Sequence, residues 1–66
     1  MDERYWAIIV DGEAFEYWHW GDVIEDFLLF SEDENYVTIE VYDPILGAVL
    51  IESEYGEITD ILGLLE

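Results

Sequence analysis

Apolar and polar residues alternate from Tyr36 to Tyr42, with Val37, Ile39 and Val41 on one side and Tyr36, Thr38, Glu40 and Tyr42 on the other. A period of two in β-branched and aromatic residues predicts a half-buried strand. A second run, Ala48 to Tyr55, starts continuously apolar and turns polar at Glu52. Alternation places Val49, Ile51, Ser53 and Tyr55 on one face and Ala48, Leu50, Glu52 and Glu54 on the other, with the apolar start covered on both sides. Between the runs, Asp43-Pro44-Ile45-Leu46-Gly47 forms the turn. Proline holds φ near about −65° at the first inner position, and glycine accepts positive φ at the exit. Ile45 and Leu46 either fold back over the core or belong to a contact surface.

The rest of the chain is fitted around this hairpin. Residues 4–10 predict a first strand, with Tyr5, Ala7 and Ile9 on one face and Trp6, Ile8 and Val10 on the other. Both faces are apolar, as in a central or doubly covered strand. Asp11-Gly12 is a strong hairpin signal. It leads into a second strand, Glu13 to Trp18, in which Ala14, Glu16 and Trp18 oppose Glu13, Phe15 and Tyr17. Asp22 then reads as a helix N-cap with Glu25 completing a capping box. Val23, Phe27 and Phe30 line one side of an amphipathic helix of about 9 to 11 residues, with Ile24 and Leu28 beside them. Ser31 to Asn35 ends it as an acidic loop. After Gly56, Ile58, Ile61, Leu62 and Leu65 recur at helical spacing, with Thr59 or Asp60 able to cap. They predict a short C-terminal helix weakened by Gly63; a fifth strand or a docked tail is the alternative. The expected fold is α+β in β-β-α-β-β-α order, one domain over residues 1–66. A small antiparallel sheet of about four strands carries one amphipathic helix across one face, and a short C-terminal helix follows.

Charge changes the picture. Eighteen carboxylates face one arginine and no lysine, a formal charge of −17, while 53% of the residues are hydrophobic. Solubility of a small domain needs a net charge of only about 2–8, and the excess destabilises a compact state by self-repulsion. Intrinsic disorder is the usual companion of such charge, but disordered chains are poor in aromatic and β-branched residues. Three tryptophans, five tyrosines and three phenylalanines argue for a folded domain. Its core is thin, because a chain of this size buries only about 60% of its unfolded surface, which leaves a homodimer open. No cysteine is present and His19 is the lone histidine, so disulfides, thiolate metal sites and structural zinc are not expected. His19 itself reads as a surface residue beside a helix start. Met1 to Arg4 lacks the basic segment and apolar run of a secretory signal, and no run reaches the roughly 18–20 apolar residues that span a bilayer. A cytoplasmic location without membrane contact is expected, in the host cytoplasm if the protein is viral.

Enzyme chemistry finds little support. Glu52 and Glu54 share a strand face and Glu13 is a candidate neighbour, but an acid–base pair needs one pKa raised by burial or a close like charge. No sequence feature supplies such a pocket, so no catalytic residue is expected. Glu32, Asp33, Glu34 and Asn35 offer oxygen ligands, yet they do not match a 12-residue calcium loop. No metal or cofactor is expected. Direct nucleic-acid binding draws its affinity from Lys and Arg on phosphates, and Arg4 is the only such residue.

The carboxylates instead suggest a surface that competes with nucleic acid. Duplex DNA carries a charge per roughly 1.7 Å of axis, and Glu52 and Glu54 on one strand face stand about 6.8 Å apart, on the scale of neighbouring phosphates. Glu13, Glu16, Glu25, Asp26, Glu32, Asp33, Glu34 and Glu40 can continue the array. Trp18, Trp20, Tyr36, Tyr42 and Tyr55 are candidate anchors, as aromatic residues dominate many interfaces. In size, charge and aromatic content the chain resembles the small, very acidic phage-encoded proteins that mimic DNA. Those proteins block host nucleases, restriction enzymes, DNA glycosylases, nucleoid proteins or CRISPR effectors. No motif matches residue by residue, so no functional residues are carried over. The resemblance implies a non-enzymatic inhibitor of a basic nucleic-acid-binding protein. The alternative is a structural or adaptor protein that uses an apolar strand edge and the C-terminal helix to form a homodimer, or pairs with a basic partner.

Overall fold

A computed structural model describes residues 4–61 and 63. The elements run β1 (Trp6–Val10), β2 (Glu13–Tyr17), α1 (Trp20–Glu32), β3 (Thr38–Asp43), β4 (Ala48–Glu54) and β5 (Glu57–Asp60). The strands form one antiparallel sheet in the order β2-β1-β3-β4-β5. Asp11 and Gly12 join β1 to β2 with φ of 48° and 90°, the left-handed pair that a two-residue hairpin turn requires.

Five strands and one helix of 13 residues replace the expected four strands and two helices. The segment after Gly56 forms β5 where a C-terminal helix was expected. Glu57 to Asp60 pair with Glu54 to Ile51 through a tight turn at Tyr55 and Gly56, both at positive φ. The Ile61 N–H continues the contact onto the Leu50 carbonyl at 3.1 Å. Pairing with β4 satisfies backbone groups that a short helix with a glycine in it would hold only weakly. Thr59 and Asp60 are therefore strand residues, and Leu62 and Leu65 lie outside the described residues.

Helix α1 lies across one face, against β1, β2 and β3. Ile8 and Val10 of β1, Val23 and Phe27 of α1, Ile39 and Val41 of β3, and Leu50 and Ile51 of β4 form the core. The helix begins earlier than expected. His19 is its N-cap, without a side-chain cap bond, and Asp22 sits in the first turn. Starting at Trp20 brings that indole against Trp6, ring centroids 5.2 Å apart. Asp22 still favours the helix there by facing the positive end of its dipole. Ser31 and Glu32 belong to the helix, and the acidic loop starts at Asp33, whose Oδ1 accepts the Asn35 N–H at 2.9 Å.

The apolar run in β4 has a different cause from the one expected. Val41 pairs with Ile51 and Tyr42 with Val49, so Leu50 is an extra residue in a β-bulge. Leu50 and Ile51 are both buried in the same core. The bulge also shifts Val49 out of the Ile51 row into the row of Tyr42. One face of the sheet packs on the helix, and no described element covers the other.

Candidate protein-binding surface

The only arginine is paired with a buried carboxylate. Asp43 closes β3, is fully buried, and accepts the Ile45 and Leu46 N–H groups at 2.9 and 3.2 Å on Oδ1. Its Oδ2 accepts a hydrogen bond from Arg4 at 2.5 Å. The guanidinium carbon stands 5.2 Å from the Trp6 ring centroid, a cation–π contact. Because Arg4 and Asp43 cancel, the formal charge of −17 is carried by the other carboxylates, with His19 as the remaining basic side chain.

Five of those carboxylates, Glu16, Glu40, Glu52, Glu54 and Glu57, share the uncovered face. Registers place its residues in rows across the strands: Glu16, Ala7, Tyr42 and Val49, then Ala14, Ile9, Glu40, Glu52 and Thr59, then Thr38, Glu54 and Glu57. Tyr5 and Trp18 lie beyond the first row, their rings stacked with centroids 6.1 Å apart. Glu40 stands directly across from Glu52, and Glu54 from Glu57. Like charges directly opposite on a sheet are destabilising, and neighbouring strands are only about 4.8 Å apart. The face thus runs from an aromatic end to an acidic end.

Of the expected binding residues, Glu16, Glu40, Glu52, Glu54, Trp18 and Tyr42 meet on this face. Glu13 does not: it pairs with Val10 in the row that faces the helix, and two strands separate β2 from β4, so it is not a neighbour of Glu52 or Glu54. Glu25 and Asp26 are on α1. Trp20 is half-buried against the core. Glu32, Asp33, Glu34, Tyr36 and Tyr55 gather around a hollow of about 370 Å³ between the end of α1 and the β4–β5 turn. Tyr36 packs edge-on to Phe30 at 5.6 Å, and Tyr55 is 77% exposed.

Sequence reasoning missed Glu57 and Tyr5. Glu57 was hidden by its placement in a helix, whereas Tyr5 already shared a predicted face with Ala7 and Ile9. Asp11 was read only as a turn residue. Its carboxylate also accepts the Thr38 N–H at 2.8 Å, the Val37 N–H at 3.1 Å and the Thr38 hydroxyl at 3.3 Å, clasping β3 to the first hairpin. The backbone bond from Thr38 holds its pKa below the usual aspartate value, against a smaller opposing effect of desolvation. Tyr17 moves the other way, pushed up to about 12 by burial, by its hydrogen bond to Asp26 and by the charges of Asp26 and Asp22.

Among the described residues, no group of three or more histidines or carboxylates is placed to hold a metal ion, and no helix is long and apolar enough to cross a membrane. No protein-family model, curated protein or solved structure matches the chain.

Proposed function

We propose that this protein is a non-enzymatic acidic inhibitor, a DNA mimic that occupies the basic nucleic-acid-binding surface of a host protein. Nucleases, restriction enzymes, CRISPR effectors, DNA glycosylases and nucleoid proteins all present such a surface. One observation carries the reading: the uncovered sheet face sets glutamates directly opposite one another, while the sole arginine is paired with Asp43. A face selected only for folding would place a cation or a neutral residue across from Glu52 or Glu54. A basic partner neutralises both pairs at once, so repulsion in the free protein becomes attraction in the complex. Long-range steering by the remaining charge raises the encounter rate. The alternative, assembly through an apolar strand edge and a C-terminal helix, loses the helix, since that segment is β5.

The test is affinity capture from the native cell or its host, eluted in salt steps and read by mass spectrometry. The expected result is a nucleic-acid-binding protein in stoichiometric amount, released by moderate salt and by competing duplex DNA. Self-association alone, or a partner indifferent to both salt and DNA, would overturn the proposal.

A further inference from the structure

We infer that the uncovered sheet face is the docking surface, and that its aromatic end is built to take an arginine of the basic partner. This rests on the basic-partner reading and specifies its contact. The chain contains its own example of guanidinium binding: Arg4 lies over the Trp6 ring while bonded to a carboxylate of Asp43. The outer face repeats those two ingredients, with no cation among the described residues there. Trp18 is 52% exposed and stacked on Tyr5, and Glu16, two residues before it, projects to the same side. A planar guanidinium can stack on the indole and hydrogen-bond the carboxylate together, whereas an ammonium is a compact, strongly hydrated charge that gains less from an aromatic face. From that corner, Glu40 and Glu52 continue the track toward the acidic end in the next row.

Charge complementarity decides the occupant. A second copy stacked face to face would bring glutamates against glutamates, and an apolar helix would bury them unpaired. A positively charged protein surface meets neither obstacle.

The probes are two synthetic peptides of equal length and charge, one arginine-rich and one lysine-rich, titrated into the isotope-labelled protein and followed by NMR. The expected result is tighter binding of the arginine peptide by about two- to fivefold per stacked guanidinium. The largest shifts should fall on the Trp18 indole N–H and on the Glu16, Glu40 and Glu52 amides. Trp18→Ala, at an exposed position that should leave the fold intact, is expected to weaken the arginine peptide more than the lysine peptide and so abolish the preference. Equal affinity for the two peptides, or shifts confined to the hollow at the end of α1, would overturn this inference and leave the basic-partner reading standing. Absence of salt-sensitive binding to either peptide would count against both.

Discussion

Replacing Arg4 by methionine removes the partner cation of a fully buried carboxylate while keeping an aliphatic side chain beside Trp6. Breaking a buried ion pair from one side costs about 3–5 kcal/mol, because the surviving charge is left uncompensated. Two features reduce that figure here. The Arg4 side chain is 49% exposed, so water already screens part of the attraction, and Asp43 keeps two backbone N–H bonds from Ile45 and Leu46. A loss of about 1–3 kcal/mol remains. Against a total stability of about 3–10 kcal/mol for a chain of this length, that is a large fraction. Urea unfolding followed by tryptophan fluorescence gives the number directly. Asp43→Asn completes a double-mutant cycle, since an amide oxygen can still accept from the turn while the charge is gone. Adding Arg4→Met to Asp43→Asn should then cost about 1 kcal/mol or less, chiefly the lost stacking. If Arg4→Met costs under about 0.5 kcal/mol, or if the two substitutions simply add, the pair does not hold the β3–β4 turn and the reasoning fails.

Three further outcomes are expected. Glu52→Gln relieves the repulsion from Glu40 and should stabilise the fold by about 0.2–1 kcal/mol at low salt, with the gain shrinking as salt screens it; an unchanged or lowered urea midpoint would contradict the row assignment. Tyr17 has a folded-state pKa raised to about 12, so its contribution is complete below the ordinary tyrosine value near 10 and is lost as pH rises toward 12; Tyr17→Phe should flatten that alkaline loss and remove a late component from the absorbance titration. Asp11 has a lowered pKa, so its contribution is present above the unfolded value of 3.8 and disappears as pH falls through the folded value; the stability gap between the native chain and Asp11→Asn should therefore narrow as pH falls, and a gap that does not change with pH would refute the clasp.

The legible parts of the fold are those governed by neighbours in sequence. Asp11-Gly12 declared its turn because few other dipeptides accept two left-handed residues in succession, and the alternation in β1 and β3 matches their faces. The β4–β5 turn was hidden because Tyr55, a bulky aromatic at φ 53°, is a rare occupant of that region. Ile58 and Ile61 happen to fit a helical period as well. The bulge at Leu50 breaks the parity from which faces are read, so an apolar run looked like a strand covered on both sides. The Arg4–Asp43 pair joins residues 39 apart, and no local pattern reports it. The same limit applied to the uncovered sheet face. The glutamates were visible one strand at a time, but the placement of Glu40 across from Glu52, and of Glu54 across from Glu57, follows only from register.

The most direct test of the central claim is whether this protein and duplex DNA exclude one another on the captured partner. Labelled duplex bound to that partner would be titrated with the protein at constant ionic strength, following both labels. The account predicts complete displacement with a one-to-one exchange, and no species containing all three. A stable ternary complex, with DNA still bound at saturating protein, would contradict it.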